Sequence, residues 1–193
     1  MRLFIAFPAT AEVIKELMRV QAELINLNFG AVIKWTEPQN FHVTAEFLGE
    51  LNEADAGEVK KILKKIVSKY QSFKYQLDKI DAFPDLRCPS VLMVRVIEEE
   101  WESLNLRQEI HDELKKLNLI GDDKPWQPHI TLGRVKNEQA GISGLDRKLN
   151  PARPTGLSGR VEWEVGEVQL ISSVLTAHGS EYEVLERYTL IRN

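Results

Sequence analysis

The chain of 193 residues has a single cysteine, Cys88, and no group of Cys and His at zinc-site spacing. An internal disulfide is excluded, and a reducing compartment, the cytoplasm, is the expected location. Long apolar runs are also missing. The opening run Leu3 to Phe7 stops at Pro8, well short of a signal-peptide core, and no later run has the length of a bilayer span. Neither export nor membrane insertion is expected. Positive charge is not in excess: 25 Lys and Arg against 29 Asp and Glu leave a formal net charge of -4. Holding nucleic acid by whole-surface electrostatics takes many Lys and Arg contacts to phosphate. That class is disfavoured, while a local basic cleft is not.

With 43% hydrophobic and 28% charged residues, the composition is that of a folded globular domain. The length suits one domain, residues 1–193, or two small lobes sharing a cleft. A monomer is expected. Arg2 to Phe7 reads as a buried strand, because it is apolar without helical spacing and is closed by a proline. From Thr10, an N-cap, the positions Ile14, Leu17, Met18, Gln21, Leu24 and Ile25 predict a core-facing helix ended by Asn28 and Gly30. A short strand, Ala31 to Trp35, follows. Asn52 caps a second helix with the stripe Val59, Ile62, Leu63, Ile66, Val67 and Tyr70. Its lysines, Lys60, Lys61, Lys64, Lys65 and Lys69, read as a solvated face. Strands are predicted over Phe73 to Ile80 and Val91 to Ile97. A third helix over Glu98 to Asn118 has Leu106, Ile110, Leu114 and Leu117 on its stripe and a structural His111 beside it. Gly141 to Gly159, with Arg147, Lys148 and Arg153, reads as a mobile connection. Val165 to Leu175 and Tyr182 to Ile191 read as two strands joined by a turn that exposes His178.

Two short stretches carry chemistry. Phe41 to Gly49 reads FHVTAEFLG, and Pro128 to Arg134 reads PHITLGR. Side chains alternate faces along a strand. His42, Thr44 and Glu46 therefore share one side of the first, and His129 and Thr131 share one side of the second. Each histidine follows a proline-containing turn. Imidazole titrates near neutrality, so two of them on one cleft make an acid/base pair. Opening a phosphodiester needs that pair: a base takes the proton of the attacking oxygen and an acid protonates the leaving one. The hydroxyls of Thr44 and Thr131 are placed to donate hydrogen bonds to the phosphoryl oxygens.

These stretches, HVTAEF with FLGE and PHITLGRV, resemble the paired HxTx motifs of the 2H phosphoesterase superfamily. Within it the chain is most similar to the RNA 2',3'-cyclic phosphodiesterases, also called 2'-5' RNA ligases. MRLFIAF at the start, Phe83–Pro84, and the closing stretches Ser173 to Gly179 and Tyr182 to Leu185 extend the resemblance over nearly the whole chain. It implies a bilobal α+β fold of two similar lobes, with antiparallel sheets lining a central cleft, helices outside, and no metal or organic cofactor. It implies hydrolysis of RNA or nucleoside 2',3'-cyclic phosphate to a 2'-phosphate, with His42 as proton donor and His129 as proton acceptor. The fifth position after each motif histidine also faces the site in this family, which falls here on Phe47, a base-stacking candidate, and Arg134, a phosphate ligand. Strict alternation would put both on the apolar side. Gly133 is a natural place for a bulge beside Arg134, whereas no glycine precedes Phe47, so core packing competes there. The chain departs from the family at Ala45, Glu46, Ser90 and Met93, and Glu46 is expected to add negative charge near the cleft mouth.

Other functions compete with this one. The same cleft serves 2'-5' RNA ligation, or a non-catalytic module that binds nucleotides or RNA ends. A metallohydrolase built on His42, Glu46 and His129 requires all three to meet on one face.

Overall fold

The computed structural model describes residues 1–26, 33–120, 125–136, 157, 159–175 and 180–192. In chain order these form β1 (Arg2–Pro8), α1 (Ala11–Leu24), β2 (Ile33–Trp35), β3 (His42–Glu50), α2 (Glu53–Val67), β4 (Phe73–Phe83), β5 (Val91–Ile97), α3 (Glu102–Lys116), β6 (His129–Val135), β7 (Glu162–Val165), β8 (Glu167–Leu175) and β9 (Ser180–Thr189). The sheet runs β7-β4-β5-β6-β3-β1-β8-β9, with β2 added alongside β6. Its strand pairs are antiparallel. β3 and β6 meet at Val43 and Ile130, at the middle of that order. The fold is the expected α+β arrangement of two antiparallel halves about a cleft.

Binary pattern explains which face the helices cover. In β1, Leu3, Ile5 and Phe7 join the main core with Val43, Ala45 and Leu48 of β3 and Ile130 and Leu132 of β6. Phe4 and Ala6 point the other way, into a small cluster with Ile171. All three helices add to the main core: Val13, Leu17, Val20 and Leu24 from α1, Val59, Leu63 and Ile66 from α2, and Leu106, Ile110 and Leu114 from α3. Each such aliphatic side chain contributes about 1.5–3 kcal/mol when fully buried. The opposite face of the sheet is left to the polar motif residues.

Thr10 and Asn52 both act as N-caps, accepting from Val13 N and Asp55 N. The stripe of α1 is rotated from the expected one: Val13 and Val20 are buried, whereas Met18 and Ile25 are 47% and 43% exposed. The correct set repeats as i, i+4, i+7 and i+11, a tighter match to 3.6 residues per turn. Lys60, Lys61 and Lys69 pair with Glu186, Glu58 and Glu109 on the solvated side of α2. β4 continues past Ile80 to Phe83, and the predicted strand from Val165 is preceded by a separate β7. The end of the first helix at Asn28 and Gly30, most of Gly141 to Gly159, and His178 lie outside the described residues.

Candidate active site

Each motif strand carries a bulge at the third position after its histidine, and β3 has a further irregularity at Leu48, between the partners of Leu3 and Phe4. Opposite β1, Ile5 pairs with Glu46 and Ala6 with Thr44, so Ala45 is unmatched. Opposite β5, Leu92 pairs with Gly133 and Met93 with Thr131, so Leu132 is unmatched. An extra residue on one strand turns the following side chains to the other face. Phe47 and Arg134 thereby join His42, Thr44, His129 and Thr131 around one cavity of about 560 Å³. Phe47 is 67% exposed, so it is not a core residue and needed no glycine to turn outward.

Side chains from the helix-covered side satisfy the carbonyls these bulges release. Trp126 Nε1 donates to Thr44 O at 2.8 Å and Arg107 Nε to Ala45 O at 3.4 Å. On β6, Gln21 Nε2 donates to Leu132 O at 2.9 Å, and Thr36 N does so at the same distance. Gln21 is thus a buried polar residue of α1 with a purpose rather than an interruption of the stripe. Gly133 is required by close approach: a Cβ there would meet Ile33 Cγ2 at 2.6 Å and Lys34 O at 3.0 Å.

The histidines are oriented by the same device twice. His42 Nδ1 lies 2.7 Å from Asn40 O, and His129 Nδ1 lies 2.8 Å from Gln127 O. A carbonyl only accepts, so each Nδ1 carries the proton and each Nε2 is left as the acceptor. Thr44 Oγ1 donates to His42 Nε2 at 3.0 Å. Phe4 stacks on His42 at a ring separation of 4.9 Å, and Tyr182 meets it edge-on at 5.6 Å. Burial among these rings lowers the His42 pKa from 6.5 to about 4; the Asn40 carbonyl opposes that, and the charge of His129 adds to it.

Sequence reasoning missed several contributors to this cavity. Phe4, Asn40 and Tyr182 line it with Arg2 and Ser173. Alternation within Arg2 to Phe7 was the available signal for Phe4, since it separates Phe4 and Ala6 from Leu3, Ile5 and Phe7. Asn40 also donates through Nδ2 to Ser180 O at 3.2 Å, which ties the start of β9 to the carbonyl that holds His42.

Glu46 does not stand with the histidines, nor at the cleft mouth. The bulge rotates it toward α3, where its carboxylate accepts from Arg107 Nη2 at 2.8 Å and from His111 Nδ1 at 2.7 Å. Its charge is spent under the sheet, and the three-ligand set of His42, Glu46 and His129 does not form. His111 is 3% exposed and belongs to this buried cluster.

Residues 7–93 match the family described as LigT like Phosphoesterase. The chain is 33% identical over 190 residues to an RNA 2',3'-cyclic phosphodiesterase of Aquifex aeolicus, covering 98% of this chain and 97% of that protein. It is 31% identical to one of Archaeoglobus fulgidus, covering 96% and 98%. Among solved structures it is similar to TT0787 of Thermus thermophilus, with a TM-score of 0.80 and 28% identity over 98% of each chain. E. coli LigT complexed with 3'-AMP has a TM-score of 0.76 at 19% identity over 98% and 97%, a likeness of fold.

Proposed function

The chain belongs to the RNA 2',3'-cyclic phosphodiesterases, a family of LigT-like phosphoesterases, and we propose that it opens such a cyclic phosphate to a 2'-phosphate with His42 and His129 as its acid/base pair. The observation that carries this reading is that His42, Thr44, His129 and Thr131 line one cavity. His129 Nε2 accepts a proton from water, whose oxygen attacks phosphorus. The bond from phosphorus to O3' breaks, and His42 Nε2 gives its proton to O3'. Thr44 and Thr131 hold the phosphoryl oxygens, Arg134 adds a further contact to phosphate, and Phe47 offers a face to the base.

In the ligand-free cleft His42 is neutral at pH 7. A phosphodiester anion beside it favours the imidazolium, so the acid is charged as substrate binds. No metal enters this scheme, and the Glu46 carboxylate lies on the other face of the sheet from the histidines.

The test is incubation with each of the four nucleoside 2',3'-cyclic phosphates, with and without a chelator, and identification of the phosphate isomer released. Release of 2'-phosphate, unaffected by chelator and lost in a His42→Ala/His129→Ala variant, is the expected result. Product binding without turnover, or activity surviving the double substitution, overturns it.

A further inference from the structure

The row of side chains that contains Arg134 continues beyond the cleft. The strand registers align Lys34 of β2 with Arg134, Arg134 with Val91 of β5, and Val91 with Phe83 of β4. Residues in register share a face. The alternate positions Ala82 and Leu92 are buried in the helix-covered core, so Val91 and Phe83 lie on the histidine face with Arg134. Phe83 is 64% exposed and stands two strand spacings, about 10 Å, from Arg134. Among the described residues, neither the Arg134 nor the Lys34 side chain has a hydrogen-bond or ion-pair partner.

The other half of the cleft differs in charge. Its cation, Arg2, is in register with Glu50, and its surface around His42 is aromatic: Phe4, Phe47 and Tyr182. The rings suit a nucleoside in that half, and the paired cations Lys34 and Arg134 suit a phosphate in the other.

Resting on the phosphodiesterase reading above, we propose that Lys34, Arg134 and Phe83 form a subsite for the nucleotide preceding the cyclic phosphate. Such a subsite favours the end of a single-stranded oligonucleotide over a free nucleotide. The terminal nucleoside lies against Phe47, Arg134 and Lys34 take the phosphate on its 5' side, and the preceding base stacks on Phe83. Such stacking tolerates any base, because every base has a π face.

The test uses a fluorescent tetranucleotide ending in a 2'-phosphate and a nucleoside 2'-monophosphate for binding, with the corresponding cyclic phosphates for kcat/KM. Phe83→Ala weakens tetranucleotide binding and lowers kcat/KM on its cyclic form about tenfold, the size of a lost base–aromatic stack. The nucleoside ligands stay within about twofold, and Phe83→Tyr recovers the loss. Lys34→Ala reduces the slope of log affinity against log salt by about 0.7, for the tetranucleotide alone. Equal losses on both ligands, or no loss on either, overturn the subsite and leave the hydrolytic reading standing. Absence of turnover on both cyclic substrates in the unaltered protein overturns the hydrolytic reading, and the binding arm still decides the subsite.

Discussion

Val43 of β3 and Ile130 of β6 are register partners across the seam of the sheet, and each is preceded by a histidine and followed by a threonine. Antiparallel pairing sets His42 across from Thr131 and His129 across from Thr44. Each imidazole therefore stands beside a hydroxyl from the other half of the chain as well as one from its own strand. In the proposed reaction this near two-fold arrangement would set equivalent groups on either side of the phosphorus, as a reaction whose acid and base exchange roles in reverse requires.

The buried neutral His42 makes both stability and ligand binding depend on pH. Its folded pKa, about 4, lies below the unfolded value of 6.5, so the unfolded chain binds more protons between those limits. Stability is complete above pH 6.5 and is lost as pH falls toward 4, by up to about 3 kcal/mol at 1.36 kcal/mol per pKa unit. Urea denaturation of the protein and of His42→Gln at pH 7 and 4.5 checks this, with a smaller loss expected in the variant. Inorganic phosphate should bind more tightly at pH 5.5 than at pH 7, because protonation of His42 accompanies binding.

Thr44→Val removes the hydroxyl that donates to His42 Nε2 and Thr131→Val removes its counterpart. If both hold a charged phosphoryl group, each loses about 1.5–3 kcal/mol, or roughly 10- to 150-fold in kcat/KM. Steady-state kinetics on a nucleoside 2',3'-cyclic phosphate measure it. A purely structural role would lower the melting temperature and leave kcat/KM of the folded fraction unchanged.

Arg107→Met strands the Glu46 carboxylate with His111 alone beneath the sheet, where side-chain exposures of the Arg107–Glu46 pair are 9% and 13%. Breaking one partner of a buried ion pair costs about 3–5 kcal/mol, whereas replacing both with apolar groups is often near neutral. Arg107→Met/Glu46→Leu should therefore be more stable than Arg107→Met. Chemical denaturation gives both values, and equal stability of the two variants would refute the pairing.

Gly133→Ala forces a Cβ against Ile33 and the Lys34 carbonyl. Overpacking of this kind costs about 1–3 kcal/mol, and relief by straightening the bulge would turn Arg134 away from the cavity. The expected outcome is a lower denaturation midpoint together with weaker phosphate binding, measured by calorimetry on the folded protein.

Strand alternation and helical spacing made most elements legible, because they depend on which residues meet water. The two HxT stretches were legible for the same reason: a histidine and a threonine two apart must share a face of a strand. Gly133 marked one bulge, since glycine tolerates a close backbone approach. The second bulge carried no local mark. Ala45 is unmatched because Arg107 and Trp126, distant in sequence, hold the carbonyls of Ala45 and Thr44.

The order of amino acids by itself determined the alternating strands, the capped helices and the identity of two imidazole–hydroxyl pairs, all of which follow from interactions within a few residues. Only the tertiary structure decided that Glu46 turns toward Arg107 and His111, that Phe47 turns toward the cleft, and that Phe4 and Tyr182 enclose His42. Those outcomes depend on contacts such as Glu46 with His111 and Asn40 with Ser180, 65 and 140 residues apart along the chain. No local pattern encodes which distant partner a side chain will meet.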